Sequence, residues 1–82
     1  MEALNNIKKV IGIKQSIRAI EKGLAEKVYI ASDADSRLIS PLQQLCAEKN
    51  IPVQLVETMK ALGESCGIDV GAAAVTQIRA EG

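Results

Sequence analysis

The spacing of apolar residues predicts an amphipathic helix over residues 13–24. One side of that helix carries four aliphatic residues at intervals of four, three and four: Ile13, Ile17, Ile20 and Leu24. The opposite side carries cationic and amide side chains: Lys14, Gln15, Arg18 and Lys22. Gly12 precedes the segment, and Gly23 is the predicted C-cap. The exposed face of this helix is therefore almost purely cationic and amide.

The rest of the chain alternates between short apolar runs and helical segments. Strands are predicted at 27–32, 53–56 and 72–79, with a short additional one at 9–11. Helices are predicted at 58–65 and at 40–49, the latter with Ser40 as N-cap and Pro41 as first helical residue, or with a start one turn earlier. The order β-α-β-α-β-α-β predicts a single α/β domain over residues 1–82, with a parallel or mixed sheet between helices.

Charge is balanced over the chain but unevenly distributed. Residues 1–30 hold six Lys and Arg against three Glu, a net of +3, and residues 31–82 hold four against seven acids, a net of −3. A basic region on a neutral domain can bind a polyanion, although small proteins also show such differences by chance.

The residue types that are missing exclude several functions. The 82 residues contain no His, no Trp and no Phe, and Tyr29 is the single aromatic residue. Catalytic triads, His-ligated metals and stacking platforms of aromatic side chains are therefore excluded. Cys46 and Cys66 form no C-x-x-C motif and are predicted core residues of a reduced, cytoplasmic protein. We expect no cofactor, no metal, no membrane contact and no enzymatic activity.

Two loops allow more than one interpretation. Asp33 and Asp35 follow a predicted buried strand, where a Mg²⁺-dependent phosphotransferase would place its carboxylates, but turn and capping chemistry also favours Asp there. Ile68 and Val70 lie between a helix and a strand in a loop that ends at Gly71. They either pack inward or offer an apolar contact to an unstacked base.

Five segments in register resemble the kink-turn RNA-binding ribosomal proteins of the L7Ae and L30e type. The segments are Gly12 to Gly23, Ile30 to Asp35, Leu45 to Val53, Leu62 to Ile68 and Ala72 to Val75. Together the likeness extends over residues 10–79, and it is greatest to the small stand-alone bacterial branch of the YbxF type. Lys14 and Gln15 are shared with that branch, where archaeal and eukaryotic relatives have Asn and Glu. Asp69-Val70-Gly71 departs from the usual Ser-Arg-Pro.

The resemblance implies a three-layer α/β/α sandwich with a mixed four-stranded sheet. It also implies that the helix start enters the groove of a kink-turn at tandem sheared G·A pairs, while the loop at 68–71 covers the bulged nucleotides. The implied RNA contacts are Gly12, Lys14, Gln15, Arg18, Lys22, Asp35, Lys60, Ile68, Asp69, Val70 and Gly71.

The sequence therefore predicts a monomeric, non-catalytic RNA-binding protein that recognises kink-turns in ribosomal RNA or in structured mRNA leaders and that associates with the ribosome if its target is there. Two other functions stay open at this point. One is a ribosome-associated protein-interaction module with little RNA specificity, and the other is the phosphotransferase centred on Asp33 and Asp35.

Overall fold

The computed structural model describes Leu4 and residues 7–79. Seven elements follow one another in the predicted order: β1 (Lys9–Ile11), α1 (Ile13–Glu21), β2 (Ala25–Ala31), α2 (Ser36–Lys49), β3 (Val53–Val56), α3 (Met59–Ser65) and β4 (Ala74–Ile78).

The four strands form one mixed sheet in the spatial order β1-β4-β2-β3. β2 and β3 are parallel and are joined by α2, whereas β4 is antiparallel to both of its neighbours, β1 and β2. β4 is the last strand in the chain but lies inside the sheet, so the fold is complete only when the C-terminal part of the domain has paired.

Each face of the sheet is covered by helices and forms its own apolar core. On β2, Val28 and Ile30 pack with residues of α1 and α2, while the alternate residues Tyr29 and Ala31 pack with residues of α3. This two-residue alternation is what a strand buried on both faces produces. The predicted three-layer α/β/α fold with a mixed four-stranded sheet is confirmed.

Both ends of α1 depend on glycine. Gly12, the N-cap, has φ of 112°, and Gly23 has φ of 74° in the left-handed region. The Gly23 N–H donates to the carbonyl of Ile20, and the Leu24 N–H donates to that of Ala19, which is the Schellman arrangement. The helix thus ends at Glu21, three residues before the predicted boundary, because Leu24 already belongs to the exit turn.

The predicted start of α2 at Ser40 is wrong, and the alternative of a start one turn earlier is confirmed. Asp35 is the N-cap, and its Oδ1 accepts the N–H of Arg37 at 2.9 Å. Pro41 lies inside the helix, where its missing N–H leaves the carbonyl of Arg37 without a helical donor. Both residues are exposed, so water can bond this carbonyl.

The remaining boundaries coincide with those predicted, as at β1 and β3, or differ from them by one or two residues. α2 ends at Lys49, as predicted, with Asn50 after it in the left-handed conformation, and Thr58 is the N-cap of α3 rather than its first residue. β2 begins two residues early, since Ala25 pairs with Ile78 across a bulge. No helix in the described residues is long and apolar enough to cross a membrane.

Candidate nucleic-acid interface

One edge of the sheet brings together most of the residues that the sequence nominates. β1, β2 and β3 all end at this edge, and β4 begins there. Backbone hydrogen bonds connect them: Gly12 N–H to Ala74 O at 2.8 Å, Ala31 N–H to Ala73 O at 2.9 Å, and Ser32 N–H to Val56 O at 2.7 Å. Three peptide bonds join Gly71 to Ala74, so Gly71, the last residue of the 68–71 loop, lies within about 11 Å of Ala74, whose carbonyl accepts the Gly12 N–H.

The start of α1 presents unpaired backbone donors. The Gly12 N–H is used by β4, and the first N–H to bond within the helix is that of Ser16, which donates to Gly12 O at 3.0 Å. Gly12 has no side chain to cap the helix, so the N–H groups of residues 13–15 have no acceptor inside it. No acidic residue lies in this first turn. Donors and dipole together make this end favourable for a phosphate.

The polar side chains predicted on α1 are all exposed, at Lys14, Gln15, Arg18 and Lys22. Lys14 and Gln15 lie in the first turn, and Arg18 lies one turn further. Lys22 is the C-cap residue, about 13 Å along the axis from the helix start. Gln15, Arg18 and Lys22 also border a shallow hollow of about 250 Å³ beside β1 and β4. The first members of this set thus lie near the sheet edge, whereas Lys22 lies at the far end of the helix.

The two apolar residues of the 68–71 loop lie in different environments: one packs inward and the other is exposed. Ile68 is half-buried and packs against the core beneath α3, so the inward alternative holds for that residue. Val70 is 69% exposed, and Asp69 and Gly71 are exposed as well. Only the tip of the loop is therefore available to a ligand.

Contacts with α3 fix the position of this loop. A Cβ on Gly63 would collide with the carbonyl oxygen of Val70, so the loop backbone lies directly on the helix. The Ala72 N–H donates to Met59 O at 3.0 Å, and a Cβ on Gly71 would lie 3.1 Å from that of Met59. The loop is held through main-chain contacts, which leave the Val70 side chain free.

Asp33 and Asp35 both cap helices. Asp33 Oδ1 accepts the N–H of Met59, the first residue of α3, at 2.8 Å. Asp35 caps α2 and binds the Arg37 guanidinium, with Oδ2 to Nη2 at 3.1 Å. The side-chain and backbone hydrogen bonds from Arg37 hold the pKa of Asp35 below its ordinary value. Any stability from this cap is therefore present at neutral pH and is lost on acidification. These bonds favour the capping interpretation over a phosphotransferase.

The other candidate groups lie in ordinary environments. Lys60 is exposed on α3, one residue beyond Met59. Cys46 and Cys66 are buried in separate cores, as predicted, and burial raises the pKa of each thiol. Within residues 7–79 and Leu4, no three His, Cys, Asp or Glu side chains are grouped to hold a metal.

Sequence reasoning missed the connections that build the edge. The bond from Met59 to Asp33 spans 26 residues, and no local pattern indicates such a partner. The role of Gly63 had a weak signal, since a glycine inside a seven-residue helix is costly and points to a close approach. The partner in that approach, Val70, becomes visible only in the fold.

Comparison with known proteins decides the family. The profile of the ribosomal protein L7Ae/L30e/S12e/Gadd45 family matches residues 1–82. The chain belongs to this family. Its similarity to the YbxF-type branch, inferred from the sequence motifs, is also confirmed. RNA-binding protein YbxF of Geobacillus stearothermophilus is 49% identical over 70 residues, 85% of each chain. RNA-binding protein GWCH70_0105 of Geobacillus sp. (strain WCH70) is 47% identical over 72 residues, 88% of each.

A solved structure has the same fold as this chain. The Giardia lamblia 15.5kD RNA binding protein superposes with a TM-score of 0.84 at 25% identity, over 90% of this chain and 62% of that one. This chain thus spans less than two thirds of that relative. The L7Ae family is named for ribosomal proteins and the curated relatives for RNA binding, neither of which is a class of enzymes. The prediction of a non-catalytic protein is confirmed.

Proposed function

We propose that this member of the L7Ae family binds RNA by recognising kink-turns, in ribosomal RNA or in structured mRNA leaders. RNA binding is supported by sequence similarity, since bacterial relatives with 47–49% identity are named RNA-binding proteins. The finer proposal, that the target is a kink-turn, comes from the motif resemblance. It is supported by the arrangement of the sheet edge.

The observation that carries the proposal is the placement of two different surfaces at one edge. The start of α1 offers unpaired N–H groups together with cationic and amide side chains. The 68–71 loop, whose last residue lies within about 11 Å of Ala74, the β4 partner of Gly12, offers the exposed aliphatic side chain of Val70. A sharply bent RNA presents phosphates and base edges beside unstacked nucleotides, so it has a partner for each surface.

The contacts divide by chemistry. Lys14 and Arg18 can donate to guanine O6 and N7, and Gln15 can both donate and accept at the base edges. The N–H groups of residues 13–15 bind a phosphate, while Val70 covers a bulged base. Lys22 and Lys60 contact flanking phosphates as point charges. Asp35, whose carboxylate is bonded to Arg37, orients α2 rather than contacting RNA directly.

The remaining parts of the proposal concern the context of this site. We propose that residues 1–82 form one RNA-binding domain that works as a monomer in the cytoplasm. Its target decides whether it joins the ribosome.

A paired titration tests this function. The protein is titrated with a kink-turn stem and with the same stem in which the tandem G·A pairs are replaced by Watson–Crick pairs, at several salt concentrations. We expect the kink-turn stem to bind at least tenfold more tightly at each salt concentration, because base-edge contacts add to the shared phosphate contacts. Equal affinities would contradict the proposal and favour a generic basic patch.

A further inference from the structure

The two outer strands of the sheet differ in how they are protected. β1 is three residues long and carries Lys9, a charge that discourages pairing with another strand. β3 (Val53-Gln54-Leu55-Val56) carries no charge and no proline. Among the described residues β3 pairs with β2 alone, so its outer side has no strand partner.

The register identifies the backbone groups that face outward. In β2 the Val28 N–H donates to the carbonyl of Pro52 at 3.0 Å. Just after β2 the Ser32 N–H donates to the carbonyl of Val56 at 2.7 Å. In a parallel pair, alternate residues bond to the same neighbour, so Gln54 also faces β2. Val53 and Leu55 therefore direct their N–H and C=O groups away from the sheet.

Next to these groups lies a groove of mixed polar and apolar lining with an acidic rim. Val53 is 40% exposed, and Leu55 on the same strand is 61% exposed. Beside it a groove of about 540 Å³ runs between β3 and α3, lined by Gln54, Leu55, Val56, Glu57, Ala61, Glu64 and Ser65. Both charged residues in this lining are glutamates, and both are exposed.

We propose that β3 and this groove bind an extended, basic segment of another protein, which pairs with β3 as a fifth strand. Strand addition supplies the hydrogen bonds that Val53 and Leu55 lack, and alternate side chains of the segment reach the groove. Lys or Arg in the segment complements Glu57 and Glu64. The proposal does not depend on the RNA site, which uses the start of α1 and the 68–71 loop.

A second copy of this chain fits the surface less well. Twofold pairing through β3 would bring the same acidic rim from each copy to the interface, where none of the described lining residues is cationic. A four-residue strand also offers little of the ~1,200–2,000 Å² that a stable interface buries. A basic peptide avoids the repulsion and needs only modest affinity.

Peptide titration with NMR detection tests the assignment. The ¹⁵N-labelled protein is titrated with a nine-residue peptide of alternating Lys and Val, and with its counterpart of alternating Glu and Val. We expect the Lys peptide to shift and protect the amides of Val53 and Leu55, and the Glu peptide to bind at least fivefold more weakly. Equal binding of the two peptides, or shifts confined to α1, would overturn the proposal.

Two exposed substitutions sharpen the test. Glu64→Gln should weaken the Lys peptide about two- to fivefold at low salt, the usual range for one exposed charge pair. Glu48→Gln, on α2 and outside the groove, should change nothing. Leu55→Ser should weaken the peptide further while RNA affinity stays within twofold of the unaltered protein, which separates this surface from the proposed RNA site.

Analytical ultracentrifugation tests the remaining possible partner of β3, a second copy of this chain. We expect the unaltered protein to stay monomeric up to millimolar concentration. If the protein associates with increasing concentration and Leu55→Ser abolishes that association, the outer side of β3 pairs with a second copy. This result would overturn the basic-peptide proposal.

Discussion

The start of α1 and the 68–71 loop lie at the same edge of the sheet, but they are held there by different means. The first is part of a regular helix whose inner face is anchored by Ile20 in the core, and one backbone bond ties Gly12 to β4. The second has no regular structure of its own. It is positioned by Gly63 and by Met59, which belong to α3.

This difference predicts how substitutions at each surface affect stability and RNA recognition. On α1 the polar side chains point outward from a fold that does not need them, so their loss should change recognition and leave stability intact. In the loop, position depends on a backbone contact beneath it, so a small change at Gly63 should affect stability and recognition together. The four substitutions below test this contrast, from the largest expected effect to the smallest.

Gly63→Ala should have the largest effect. The added Cβ would meet the Val70 carbonyl, which is backbone and cannot rotate away, so either α3 or the loop must shift. We expect a loss of about 1–3 kcal/mol in the free energy of unfolding, the usual cost of overpacking. Kink-turn affinity, measured at a temperature where the protein is still folded, should fall as well. Glu64→Ala, at the exposed neighbouring position, is the control and should leave both unchanged.

Arg18→Ala should cost about 1–3 kcal/mol in kink-turn affinity, if Arg18 donates to a base edge. The loss should be smaller on the stem with Watson–Crick pairs in place of G·A, so the preference for the kink-turn shrinks. The melting temperature should hardly change, because Arg18 is exposed opposite the apolar stripe. Equal losses on both RNAs would assign Arg18 to a phosphate and contradict its role in readout.

Val70→Asp should weaken kink-turn binding by about 1–2 kcal/mol, through loss of an apolar contact and the placement of a carboxylate near phosphates. Thermal stability should stay nearly unchanged because the side chain is 69% exposed. Val70→Leu keeps the apolar surface and should retain affinity. A large drop in melting temperature for Val70→Asp would show that this side chain stabilises the fold, which the exposure argues against.

Lys22→Ala should have the smallest effect. It lies at the far end of α1, where we propose that it contacts flanking phosphates, so its loss should weaken both RNAs alike by less than about 1 kcal/mol. The slope of log affinity against log salt should fall by about one unit, while the ratio between the two RNAs stays constant. A change in that ratio would move Lys22 into the set that reads bases.

Much of the fold could be predicted because its signals are local. The spacing of Ile13, Ile17 and Ile20 on α1, the end of α2 at Lys49 and the alternation of strands and helices each depend on signals within a few residues. Where a boundary was wrong, a competing local signal was present. Ser40-Pro41 has the form of a helix start, but Asp35 caps α2 one turn earlier, and the exposed surface tolerates the carbonyl that Pro41 leaves without a donor.

The candidate site was only partly predictable for the same reason. The cationic and amide face of α1 follows from periodicity, so Lys14, Gln15 and Arg18 are exposed where expected. Apolar composition at 68–71 could not say which side chain turns inward. Packing beneath α3 decides it, by covering Ile68 and leaving Val70 exposed.

The sequence by itself therefore determined the elements of this protein, their order and the charge on the helix that begins at Ile13. Periodicity, glycine conformation and capping act over distances of one or two turns, so the chain carries them without its tertiary structure. The tertiary structure alone decided that β4 lies inside the sheet, that Asp33 caps α3 across 26 residues, and that no strand of the described residues pairs with the outer side of β3. These features join residues far apart in the chain, and only the burial of both sheet faces brings them into contact.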